Sequence, residues 1–246
     1  MILLRSLLYF VAFVIATLLF SLPIVLLYPV ISFDAASKIA VGWGRTNLLL
    51  LRWICNLRYR IQGWDNIPNG PCIICSKHQS TWETLSLRGL LPHRQTWILK
   101  QELLRIPIFG WALRKAEPVA IERKEGLAAI KQVIQAGKDS LANGRMIVVF
   151  PEGTRVAPGE RHKYGVGGAL LAEVTGHPII PIAHNAGVFW KRRGLIKYPG
   201  VIDVVVGPPI LPQGRKAGQI NKLMEDWIEQ TMEQLPRTWK PETEAA

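Results

Sequence analysis

Cysteine is scarce: Cys55, Cys72 and Cys75 are the whole complement of 246 residues. An odd number argues against a disulfide framework. Cys72 and Cys75 have the C-x-x-C spacing of some metal and redox sites, but they lie in a β-like apolar run. Residues three apart there point to opposite faces, and no second Cys/His pair stands at zinc-finger spacing. The thiols read as buried structural side chains, in keeping with a reducing compartment. Acid is also sparse, with 18 Asp+Glu against 30 Lys+Arg and a net charge of +12. Such an excess favours a polyanion, an anionic membrane surface or an acidic partner. Dense Lys/Arg runs and aromatics interleaved with bases are missing, which argues against nucleic acid. No G-x-S-x-G run marks a serine-hydrolase elbow. No G-x-x-x-x-G-K-[ST] loop marks nucleotide-driven chemistry.

Charge vanishes between Arg5 and Asp34, across 28 residues. A spanning helix needs about 20 apolar residues, and a signal-peptide core holds about 7–15. Residues 1–33 therefore read as a hydrophobic membrane anchor. Pro23 and Pro29 interrupt it, so it either spans with a kink or dips in and turns back. Residues 34–58 follow as an amphipathic interfacial helix. Lys38, Arg45 and Arg52 share one face, and Ile39, Trp43, Leu50, Ile54 and Leu57 another. Trp43 and Trp53 suit the headgroup level. Positive charge is denser after the anchor than before it, which puts the following domain on the cytoplasmic side.

From residue 59 the pattern becomes strand–helix alternation. Strands are expected at 71–76, 96–100, 118–122, 145–150, 178–184 and 201–207. Helices are expected near 80–91, 124–142, 164–175 and 216–234. This predicts an α/β domain over 59–235: a mixed, largely parallel sheet flanked by helices, preceded by the membrane-associated helical pair. Residues 236–246 read as a flexible tail. Ligand residues in such sheets gather where strands end, and several polar clusters stand there.

The first cluster is KHQSTWE, 77–83. His78 after a strand suits a general base, given a carboxylate to fix its tautomer. Glu83 fits that role, but Ser80-x-x-Glu83 is equally a helix capping box. The second is FPEGTR, 150–155. Arg155 offers a planar fork of donors for a phosphate, and Gly153 permits close backbone approach. Arg123 in AIERKEG and Lys100 after TWIL complete a set of cations after strands, a basic mouth suited to a phosphorylated substrate. His184 in PIIPIAH reads as a satisfied histidine at a strand end.

These blocks, in this order, resemble the glycerolipid acyltransferase family, and within it the bacterial 1-acyl-sn-glycerol-3-phosphate acyltransferases. FPEGTR matches a family block residue for residue. HQSTWE matches the H-x-x-x-x-D block except that Glu83 stands where aspartate is expected. The Glu122-Arg123 pair and IIPIA match the remaining two. The resemblance implies transfer of a fatty acyl group from acyl-CoA or acyl carrier protein to the sn-2 hydroxyl of lysophosphatidic acid. It implies His78 as base and Glu83 as its partner, with Glu152 and Gly153 positioning the glycerol. Arg123, Arg155 and Lys100 would hold the phosphate. No metal, cofactor or covalent acyl-enzyme is implied. Amides near Gly153 or Ser80 are candidate oxyanion donors. The implied location is the bacterial inner membrane, facing the cytoplasm, among membrane lipids. A related acceptor, lyso-ornithine lipid or glycerol 3-phosphate, and a non-catalytic lipid-binding role are the competing readings.

Overall fold

The computed structural model describes residues 1–121 and 127–240. Helix α1 (Ile2–Leu26) runs unbroken through Pro23. A turn leads to α2 (Phe33–Cys55), where the Ser32 hydroxyl caps the helix by accepting the Ala35 N–H at 3.2 Å. Asp34 in its first turn suits the helix dipole. Asn56, left-handed at φ 50°, ends α2. The expected continuation of this helix to residue 58 is corrected: Leu57–Gln62 form strand β1. The physical signal is period-2 alternation in LRYRIQ, with Leu57 buried, Tyr59 and Ile61 partly buried and the two arginines out.

The remaining strands are β2 (Ile73–Ser76), β3 (Gln95–Lys100), β4 (Val119–Ile121), β5 (Met146–Val149), β6 (Ile179–His184) and β7 (Gly200–Val206). They form one sheet with β1, in the order β1-β7-β6-β2-β5-β3-β4. Strands β6, β2, β5, β3 and β4 are parallel, while β7 is antiparallel to β6 and pairs in parallel with β1. The mixed, largely parallel sheet expected from the alternation is present, with helices on both faces. They are α3 (Trp82–Leu90), α4 (Phe109–Arg114), α5 (Leu127–Ala142), α6 (Gly167–Thr175), α7 (Ala186–Phe189) and α8 (Ala217–Gln234).

Two cores flank the sheet. One joins Leu48 and Leu51 of α2 to Trp82, Leu85, Ile74 and Val148. The other joins Ile73 and Ile147 to Leu171, Ile220, Met224 and Ile228. Cys72 belongs to the first and Cys75 to the second, the opposite facing expected of residues three apart in a strand. Both thiols are fully buried, and burial pushes the Cys72 thiol up to about 12. Helices α2 and α3 cross at Gly44 and Gly89, where an added Cβ on Gly44 would lie 2.6 Å from the Gly89 nitrogen. The amphipathic helix is thereby locked to the helix that carries Glu83. Strands β2 to β6 all end at one edge of the sheet, and the polar clusters gather there.

Candidate active site

His78 follows β2, and Glu83 lies in the first turn of α3. The imidazole Nδ1 is 2.7 Å from Glu83 Oε1. The same oxygen accepts the backbone N–H of Gln79 at 2.8 Å and of Ser80 at 2.7 Å. Glu83 thus orients the histidine and caps the chain before α3 with one oxygen. The reciprocal half of a capping box is replaced, because Ser80 Oγ accepts the N–H of Trp82 at 3.2 Å. Glu83 is fully buried. Burial alone would raise its pKa, but the His78 hydrogen bond, the neighbouring His184 and His78 imidazoles and the Ser80 N–H together hold it below the ordinary carboxylate value. An acceptor at Nδ1 fixes the neutral imidazole with its proton on that nitrogen and leaves Nε2 as the basic atom. Nε2 bonds no described residue, and the side chain keeps 13% of its surface exposed. Phe150 stacks on the ring at 4.0 Å between centroids and 14° between planes, which restricts its tilt.

Glu152 is buried. Its Oε2 accepts the His78 N–H at 2.8 Å, and its Oε1 lies 2.6 Å from Lys77 Nζ. The carboxylate expected to position glycerol is therefore taken up by the protein's own groups. Lys77 is 1% exposed and also binds Glu229 Oε1 at 2.7 Å, which accepts Tyr164 OH at 2.8 Å. This buried network anchors the backbone on which His78 stands. Lys77, Tyr164 and Glu229 were not legible as partners, since α8 supplies Glu229 from 152 residues away.

His184 ends β6 and is fully buried. Its Nε2–H donates to the Lys77 carbonyl at 2.8 Å, and its Nδ1 accepts the Ala186 N–H at 3.3 Å. Burial, opposed by the Glu83 charge, holds its pKa below the ordinary value. Nε2 stands 4.0 Å from Glu83 Oε2, an oxygen with no hydrogen-bond partner. The expected satisfied histidine is present, packed against the acid of the pair.

The loop after β5 crosses the end of β2. The Val156 N–H donates to the His78 carbonyl at 2.8 Å, and Arg192 Nη1 donates to the Arg155 carbonyl at 3.0 Å. Gly153 makes the turn at φ 65°. Burial and the charges of Arg192 and Arg193 lower the Arg155 pKa, while the Glu83 charge raises it. Arg155 is therefore within electrostatic reach of the His78–Glu83 pair. The Ser80 amide is bonded to Glu83 and the Gly153 amide to the Phe150 carbonyl at 2.9 Å. Those two amides are therefore occupied within the protein. Lys100 is exposed at the end of β3, on the same sheet edge. Arg123 lies outside the described residues.

Residues 58–185 match the family described as Acyltransferase. The chain is 42% identical over 212 residues to a 1-acyl-sn-glycerol-3-phosphate acyltransferase of Pseudomonas aeruginosa, covering 84% of this chain and 82% of that protein. It is 31% identical over 173 residues to the mouse 1-acyl-sn-glycerol-3-phosphate acyltransferase alpha, covering 69% of this chain and 61% of that one. The crystal structure of the 1-acyl-sn-glycerophosphate (LPA) acyltransferase PlsC from Thermotoga maritima superposes with a TM-score of 0.78 over 97% of this chain and 98% of that chain, at 23% identity. That likeness establishes the fold. A histidine held by a buried glutamate at the strand ends, and a match spanning that edge from β1 to β6, meet in one assignment: the chain belongs to the Acyltransferase family.

Proposed function

We propose that this enzyme transfers a fatty acyl group from a thioester donor, acyl-CoA or acyl carrier protein, to the sn-2 hydroxyl of 1-acyl-glycerol 3-phosphate, making phosphatidic acid. The observation that carries the reading is the 2.7 Å contact of His78 Nδ1 with buried Glu83, which leaves Nε2 without a partner among the described residues. An alcohol attacks a thioester poorly unless its proton is removed as attack proceeds. His78 Nε2 takes that proton while the oxygen adds to the thioester carbonyl. Glu83 stabilises the imidazolium that forms. The tetrahedral oxyanion then collapses, the carbon–sulfur bond breaks, and the imidazolium returns the proton to the departing thiolate. The scheme uses no metal, cofactor or acyl-enzyme. Arg155, Lys100 and Arg123 supply charge for the acceptor phosphate. Gly153 opens the loop beside that phosphate, and Glu152 acts as a positioning residue through the His78 backbone.

The relatives are named for this acceptor, which favours it over lyso-ornithine lipid or glycerol 3-phosphate. Helix α1 is 25 residues long and holds an 18-residue stretch of mean hydropathy 2.5, long and apolar enough to cross a membrane. Its Tyr9 packs on Trp190 at 5.7 Å, and its Ile24 clusters with Ala112. Contacts near both ends favour a helix lying along the domain, with its exposed leucines in one leaflet. A cytoplasmic face of a bacterial inner membrane fits the charge pattern. The test is acyl transfer by membranes carrying wild type or His78→Ala, offered each acceptor with each donor. Phosphatidic acid should form with lysophosphatidic acid and wild type alone. Equal activity in His78→Ala, or product from another acceptor only, overturns the reading.

A further inference from the structure

Between β3 and β4 the chain makes a detour that holds a 3-10 turn at Gln101–Arg105 and then α4. Leu103, Ile106 and Trp111 there are 38%, 43% and 45% exposed, although all are large and apolar. Three such side chains exposed within nine residues of one short segment point to an interaction site. Lys100, Arg105, Arg114 and Lys115 flank it, with Glu102 the single acid between residues 100 and 115.

The opposite side of α4 is already covered. Ala112 packs with Ile24, Ile31 and Ala36, and the Phe109 ring lies 6.1 Å from that of Trp43. Lys115 Nζ stands 5.0 Å from the Tyr28 ring in the turn between α1 and α2. Leu26, Leu27 and Val30 around that turn are exposed. The detour thus packs against the N-terminal helix pair, whose own residues at the turn are also apolar and exposed. Tryptophan and isoleucine ringed by cations are the composition of a segment seated at the boundary of headgroups and acyl chains. An anionic surface attracts such cations further.

We propose that residues 100–115 form a second membrane contact. Leu103, Ile106 and Trp111 enter the acyl boundary of an anionic bilayer beside α1, and the flanking cations meet lipid phosphates. This rests on α1 being membrane-bound. Its consequence is that the carboxyl end of β3, and with it the mouth at His78, faces the lipid surface. An acceptor then reaches the base by lateral movement rather than by leaving the bilayer.

The full-length protein, bound to vesicles of phosphatidylglycerol and phosphatidylcholine, tests this with spin labels at single introduced cysteines. Cys55, Cys72 and Cys75 are at most 1% exposed, so label goes to the new thiol. Ile106→Cys and Trp111→Cys are compared with Leu19→Cys on exposed α1 and with Leu223→Cys on α8, across the sheet. Labels at 106 and 111 should collide with oxygen and be shielded from a water-soluble nickel chelate, as at 19 and unlike 223. In vesicles of phosphatidylcholine alone, shielding at 106 should weaken while that at 19 persists. If 106 and 111 behave like 223 while 19 reports lipid, the second contact is wrong and α1 still anchors the chain. If 19 also behaves like 223, the membrane reading of α1 falls and takes this proposal with it.

Discussion

Glu83 holds His78 through an oxygen that also accepts two backbone amides, so the acid cannot turn away from the ring without exposing buried donors. Its charge should be essential and its length nearly so. Glu83→Gln keeps an acceptor oxygen but loses the charge that stabilises the imidazolium. We expect kcat to fall roughly 10²–10⁴-fold with little change in the acceptor KM. Glu83→Asp should retain part of the activity, since a carboxylate one methylene shorter reaches the ring nitrogen only with a backbone shift. Wild-type kcat in Glu83→Gln would reduce the residue to a helix cap.

Lys77 joins Glu152 and Glu229 in the interior, and removing it leaves Glu152 without a cation and Glu229 with only the exposed Arg161 at 3.5 Å. Lys77→Met should therefore destabilise the fold by about 3–5 kcal/mol. Thermal inactivation in detergent, with Lys77→Met against Lys216→Met on the exposed start of α8, reads the difference.

His184 is neutral and buried, with its pKa held below the ordinary 6.5. The unfolded chain therefore binds a proton that the folded chain resists. Stability from this group is complete above pH 6.5 and is lost as pH falls from there towards the lowered native value. His184→Gln should flatten that part of the stability–pH curve, measured by inactivation temperature between pH 7 and pH 5. An unchanged slope would place the acid sensitivity elsewhere.

Arg155 should act on the acceptor. Arg155→Ala should raise the KM for lysophosphatidic acid about 10–100-fold, and Arg155→Lys should restore only part, because the planar fork is lost. The donor KM should be nearly constant. A rise confined to the donor would reassign the arginine.

Gly44 faces Gly89 with no room for a side chain. Gly44→Val should push α2 off α3 and lower both stability and activity. A variant at the exposed Arg52 of the same helix should do neither, as circular dichroism melts and turnover will show.

Period and chemistry made much of this protein legible. The uncharged run to Asp34, the alternation of strands and helices, and the blocks at 78–83 and 150–155 pointed to the long apolar N-terminal helix, the α/β sheet and the His78–Glu83 pair. Those features are local: each is written within a few turns or one strand. β1 was hidden because its six residues follow an amphipathic helix without a proline or glycine break, and the detour at 101–115 because it shows no sustained period. The tertiary structure alone decided the rest. It spent the Ser80 and Gly153 amides, turned Glu152 inward to Lys77, brought Glu229 from α8 and set His184 behind Glu83. Those choices depend on which strand ends become neighbours, and a hydrogen bond between residues 152 positions apart leaves no spacing in the chain to read. That Glu83 can cap the helix and hold His78 at once was likewise visible only in the coordinates, since a single buried oxygen makes both contacts.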